Sequence, residues 1–118
     1  MKPWLLVAAG GAAGSMLRYA VQRLLPAYSF PYNTFAVNLA GCLLIGILWG
    51  LLLKGSIGND GRLLLMTGLC GGFTTFSAFS LESLQLLQQG RMVQFFFYVV
   101  LSVALGLLAT LIGYKLLH

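Results

Sequence analysis

Four long apolar runs, approximately 4–25, 33–53, 61–89 and 92–116, make up almost the whole chain. Each reaches the length of about 20 residues that a helix needs to cross the hydrocarbon core of a bilayer. The runs are continuous and do not alternate apolar with polar, which excludes a transmembrane β-barrel. The breaks between them are short and read as turns. Leu25-Pro26-Ala27-Tyr28-Ser29-Phe30-Pro31 holds two prolines. Lys54-Gly55-Ser56-Ile57-Gly58-Asn59-Asp60-Gly61 is glycine-rich and polar, and Gln88-Gln89-Gly90-Arg91 is a tight polar corner. The expected fold is an all-α membrane protein, one four-helix transmembrane domain over residues 1–118 with no room for a second.

Composition carries the same constraint. Residues are 59% hydrophobic and 8% charged, against about 25% charged in a soluble domain. So few charges cannot cover a water-facing surface, and the bilayer must be most of the solvent. The first run, from Trp4 to about Leu25, is too long for the apolar part of a secretory signal and lacks a small-residue cleavage site. It is expected to remain as the first span. The net charge of +5 comes from scattered cations near the ends of runs, where they reach lipid headgroups. No basic cluster exists to track phosphates, so nucleic acid is not an expected partner. Cys42 and Cys70 lie inside apolar runs without a neighbouring Cys or His in the sequence, and the single His is His118. Both cysteines read as small buried hydrophobes. Without a nucleophile–base pair or metal cluster at depth, the chain is not expected to be an enzyme.

Orientation is finely balanced. With the N-terminus inside, Lys2, Lys54, Arg62 and Lys115 fall inside, and Arg18, Arg23 and Arg91 outside. Topology follows such a bias, and here the bias is almost nil. Two readings stay open. The chain inserts both ways up, with opposite copies pairing as an antiparallel homodimer, or weaker cues set one orientation. Small residues at four-residue spacing let backbones approach closely in lipid. They are Gly10 and Gly14 in the first run, and Ser102, Gly106 and Thr110, with Ala109 and Gly113, in the fourth.

The third run carries the chemistry: Leu69-Cys70-Gly71-Gly72-Phe73-Thr74-Thr75-Phe76-Ser77-Ala78-Phe79-Ser80-Leu81-Glu82. A glycine pair followed by two β-branched threonines is a poor helix interior. A helix break is expected between about Gly71 and Phe76, near mid-run. Freed backbone groups at bilayer depth are tolerated only where buried in protein or lining a polar cavity. A broken helix aims a partly positive N-terminus into the membrane, which suits an anion. Its freed carbonyls suit a small hard cation. Phe76 and Phe79 share a face and Glu82 continues their row. Glu82 is either a functional intramembrane acid or a group reaching water or an arginine at the end of its run. Asn38 offers two N–H donors to an anion or makes a structural interhelical hydrogen bond. Tyr98 and Ser102 either extend a polar line or pack. Arg18 either draws anions into a vestibule or anchors at the headgroups.

Three segments together resemble the Fluc (CrcB) fluoride channels of microbes. They are Gly10-Gly11-Ala12-Ala13-Gly14-Ser15-Met16-Leu17-Arg18-Tyr19, Thr34-Phe35-Ala36-Val37-Asn38-Leu39-Ala40-Gly41 and Gly71-Gly72-Phe73-Thr74-Thr75-Phe76-Ser77-Ala78-Phe79. The resemblance covers the whole chain, and the third segment is its specific part. It implies a dual-topology, antiparallel homodimer in the inner or plasma membrane, with two pores exporting cytoplasmic fluoride passively and so conferring fluoride resistance. By the same resemblance Asn38, Phe76, Phe79, Tyr98 and Ser102 line the pore. Arg18 is the basic residue of the first helix and Glu82 the acid of the third. The backbone carbonyls of Gly71 and Thr74 from both subunits hold a structural Na⁺ at the dimer interface. Thr75 and Ser77 add hydroxyl donors. Ala78 and Gly106 stand where many or some members carry hydroxyls, which puts the number of pore hydrogen bonds in question. The chief rival is a proton-coupled exporter of the small multidrug-resistance class, also a four-helix dual-topology dimer. It needs a membrane-embedded carboxylate in its first helix, and the first run here has none.

Overall fold

The computed structural model describes residues 1–25 and 30–117. The elements are α1 (Lys2–Leu24), α2 (Tyr32–Leu53), α3 (Asn59–Gly61), a π-helical stretch (Arg62–Cys70), α4 (Gly71–Phe73), α5 (Phe76–Gln88) and α6 (Met92–Leu117). There is no strand among the described residues. Four helical runs are long and apolar enough to cross a membrane: α1, α2, α6 and the composite run Asn59–Gln88. The proline-bearing turn expected between the first two runs falls on residues 26–29, and His118 closes the chain. Both lie outside the described residues.

The helix ends follow from local chemistry. Pro3 occupies the first turn of α1, where its missing N–H costs no bond. Leu25, ahead of Pro26, has turned extended at φ −96° and ψ 120°, as the residue before a proline prefers. The ends of α2 and α5 are built alike. Gly55 and Gly90 take φ of +77° and +73°. The next residue then reaches back across the turn, Ser56 N–H to the Leu51 carbonyl and Arg91 N–H to the Leu86 carbonyl, both at 2.9 Å. These glycine-terminated caps reverse the chain within a few residues.

Two pairs of helices form the body: α2 with α6, and α1 with the π-helical stretch and α4. Glycine sets both seams. A side chain at Gly14 of α1 would sit 2.8 Å from the Phe73 nitrogen, and one at Gly113 of α6 would sit 2.9 Å from the Ile47 nitrogen. Backbones therefore touch where lipid supplies no hydrophobic drive. Among the described residues, Val37, Leu48, Cys70, Leu86 and Tyr98 form the buried apolar core. Many large apolar side chains are exposed, and the spans are only 11–28% buried in their most apolar windows. Water could not solvate such a surface. The long dimension of 47 Å is close to the roughly 40–45 Å of a bilayer with its headgroup regions. Lys2 pairs with Asp60 at 2.8 Å and ties the start of α1 to α3, but the pair is exposed and contributes little.

Candidate functional site

Helical geometry lapses at Thr74 and Thr75, about halfway along the run Asn59–Gln88. Thr74 has φ −81° and ψ 156°, and Thr75 φ −146° and ψ 116°. The cause lies partly on α2. The Asn38 amide accepts from the Thr75 N–H at 2.9 Å and donates to the Thr75 carbonyl at 3.1 Å. One side chain thereby satisfies both main-chain groups of a residue that has left the helix. Leaving either group bare would cost about 1–3 kcal/mol.

This clamp redirects the neighbouring bonds. In an unbroken helix the Thr75 N–H would close on the Gly71 carbonyl and the Ala78 N–H on the Thr74 carbonyl. The first goes to Asn38, and the second donates to Thr75 Oγ1 at 3.1 Å. The carbonyls of Gly71 and Thr74 thus lose their helical partners. The last turn of α4 closes instead on the Cys70 carbonyl, which accepts from both the N–H and the hydroxyl of Thr74, at 3.0 and 2.9 Å. Arg18 Nε donates to the Gly72 carbonyl at 3.3 Å. On the other side of the lapse, α5 starts afresh with Thr75 as its N-cap. A new N-terminus carries a partial positive charge and orphan N–H groups.

A groove of about 430 Å³ opens at this junction. It brings together Asn38, Gly71, Thr74, Thr75, Phe76, Phe79 and Ser102, and among the described residues no charged side chain lines it. The Phe76 and Phe79 rings lie 5.8 Å apart, tilted at 45°. Phe76 is 79% exposed. Ser77 stands beside the groove, its hydroxyl 3.3 Å from that of Thr75. The chemistry on offer is mixed: two carbonyls shorn of helical partners, a helix N-terminus, hydroxyls, the remaining Asn38 N–H and two phenyl rims.

The other expected site residues sit elsewhere. Arg18 is engaged with the Gly72 carbonyl. Tyr98 is fully buried and donates to Glu82 Oε2 at 3.2 Å. Its ring lies 5.1 Å from that of Phe79 and 5.4 Å from that of Phe30. Glu82 also accepts from the Thr34 hydroxyl at 2.6 Å, a charge-assisted length. Glu82 is therefore held between two donors on α2 and α6. Thr34 had escaped notice as a site residue. Its one signal in the sequence is its position a helical turn before Asn38, on the same face.

Against known proteins, residues 5–114 match the family model described as CrcB-like protein, Camphor Resistance (CrcB). The chain belongs to the CrcB family. Three relatives show how close the kinship is within CrcB, each named fluoride-specific ion channel FluC. One from Phocaeicola vulgatus is 50% identical, covering 96% of both chains. One from Methylobacillus flagellatus is 50% identical, covering 95% of this chain and 91% of its own. One from Thermus thermophilus is 44% identical, covering 98% and 95%. With its four membrane-capable helices, this CrcB chain is a multi-pass membrane protein.

Proposed function

We propose that the chain is one subunit of an antiparallel, dual-topology homodimer that passes fluoride out of the cell down its electrochemical gradient, through two pores per dimer. The observation that carries this reading is the Asn38–Thr75 clamp, which keeps a helix N-terminus and two phenyl rims together at an uncharged groove. The names of the relatives point to fluoride as the cargo. Its place halfway along a run long enough to span supports an interruption near mid-bilayer.

Fluoride is small and strongly hydrated, so a pore must replace its water with donors. The free N–H of Asn38 and the hydroxyls of Thr75, Ser77 and Ser102 supply them, and the electropositive rims of Phe76 and Phe79 add weak contacts. Weakness is useful, because conduction needs sites an ion can leave. Arg18 raises the local anion concentration at the entrance while its Nε holds the Gly72 carbonyl. Tyr98 packs behind Phe79 and donates to Glu82, and Thr34 fixes the acid from α2.

The Gly71 and Thr74 carbonyls, without helical partners, fit a small hard cation, and two from each subunit would make a four-oxygen site for Na⁺ at the dimer axis. The ion would supply positive charge that holds two interrupted helices together. Nothing favours the multidrug-exporter reading, since α1 has no Asp or Glu. The test is flux. Liposomes holding the purified protein should release fluoride rapidly, with little chloride movement and no proton dependence. Vesicles that keep their fluoride would overturn the proposal.

A further inference from the structure

The side-chain oxygen Oε1 of Gln94 is closed off from solvent and meets no hydrogen-bond partner among the described residues. Such groups are rare in folded proteins, and each one asks for an explanation. Gln94 is the third residue of α6. It stands one turn before Tyr98 and two turns before Ser102, on the same side of the helix. Gln94 and Tyr98 are the only polar side chains of α6 ahead of Ser102.

The position suits an anion on its way out of the groove. Ser102 lines the groove, and Gln94 lies about 12 Å further along α6, at the helix end. Between them Tyr98 is fully buried, and its hydroxyl proton is spent on Glu82 Oε2 at 3.2 Å. Tyr98 has no second proton to offer a passing ion. Glu82 offers only negative charge, partly quenched by the hydroxyls of Thr34 and Tyr98. An anion moving along this side therefore needs a donor beyond the carboxylate, and Gln94 is the side chain placed to supply it. The first-turn N–H groups of α6 give the same end a partial positive charge, and Arg91 immediately precedes them. The two ends of an amide have the same shape, so the occupant of the position selects which end turns inward. A cation selects the carbonyl and an anion the N–H₂.

We propose that Gln94 is a fluoride-contacting residue at the mouth of the path, with its amide N–H turned to the ion. The inference rests on the channel reading above. On it, a polar group that the fold leaves unpaired is a stability cost retained for conduction.

The test replaces Gln94 by a side chain of like length without a strong donor. Gln94→Met, reconstituted in liposomes, should slow fluoride efflux about tenfold, the loss of one hydrogen bond to a charged group. Its thermal midpoint should equal or exceed the parent's, because an unpaired buried acceptor has been replaced by an apolar group. Parental efflux from Gln94→Met would overturn the inference and leave the channel reading standing, whereas a parent that holds its fluoride would overturn both. A lowered midpoint would also overturn it, since Gln94 would then have a partner within the fold. A second measurement needs no variant to fold. In the unmodified protein, labelled with nitrogen-15 and assigned by nuclear magnetic resonance, NaF should shift the Gln94 side-chain N–H₂ signals to a plateau. NaCl at the same sodium concentration should not. No shift with NaF, or an equal shift with NaCl, would sink the contact.

Discussion

Asn38 acts as a substitute strand of backbone: its amide meets the N–H and carbonyl of Thr75 as a neighbouring peptide would. That sets what each substitution does. Asn38→Asp keeps an acceptor for the Thr75 N–H but turns a carboxylate toward the Thr75 carbonyl and the anion path. Losing the donor alone costs about 1–3 kcal/mol, so fluoride efflux should fall about tenfold or more. Parental efflux would remove Asn38 from donation. Phe76→Ile and Phe79→Ile keep the apolar volume but lose the ring rim. Each should slow efflux about tenfold while the size-exclusion profile of the dimer is unchanged. Glu82→Gln should act differently. Both donors to Glu82, the Thr34 and Tyr98 hydroxyls, then compete for one carbonyl while an amide N–H₂ faces the other. Thermal unfolding should shift to lower temperature by the equivalent of about 1–3 kcal/mol.

At the scale of elements, glycine decides how near helices come. Gly11 and Gly14 lie on the same helix, yet a Cβ at Gly11 meets nothing nearer than the Gly68 carbonyl oxygen at 4.0 Å, whereas at Gly14 it strikes the backbone of Leu69, Gly72 and Phe73. Gly14→Ala should therefore destabilise by about 1–3 kcal/mol, an overpacking cost. Gly11→Ala should be neutral or slightly stabilising, and heat-challenged chromatography of the two variants checks the contrast. Much at this scale was legible in the sequence. Continuous apolar runs announce four membrane-capable helices, and Gly71-Gly72 with Thr74-Thr75 announces weak helix at the place where the geometry lapses. The π-helical stretch Arg62–Cys70, which packs against α1, was not legible, because its residues have ordinary helical propensities. Likewise the partners of Glu82 and the engagement of Arg18 with Gly72 depend on contacts between distant segments. Spacing along one helix does not reveal such contacts.

For the whole molecule, the outward-facing apolar surface and the balanced cations matter most. A chain with so small a core takes much of its stability from the bilayer and, on the proposed reading, from a second copy. The four-against-three charge count makes orientation easy to bias. Ser56→Lys with Gly58→Lys should drive the chains one way up, and Gln88→Lys with Gln89→Lys the other way. Either protein alone should show strongly reduced fluoride efflux, and co-expression should restore it. Parental rates from each biased protein alone would rule out the antiparallel dimer.

Because the amide that stitches Thr75 belongs to α2, the bend is lent to the third span by a neighbour. A synthetic fragment of residues 59–88 in lipid has no such lender, and hydrocarbon punishes bare peptide groups. The fragment should straighten into one uninterrupted rod, visible as a helical infrared band from carbon-13 at Thr74. During biosynthesis, then, the kink should appear only once α2 is already in place beside it.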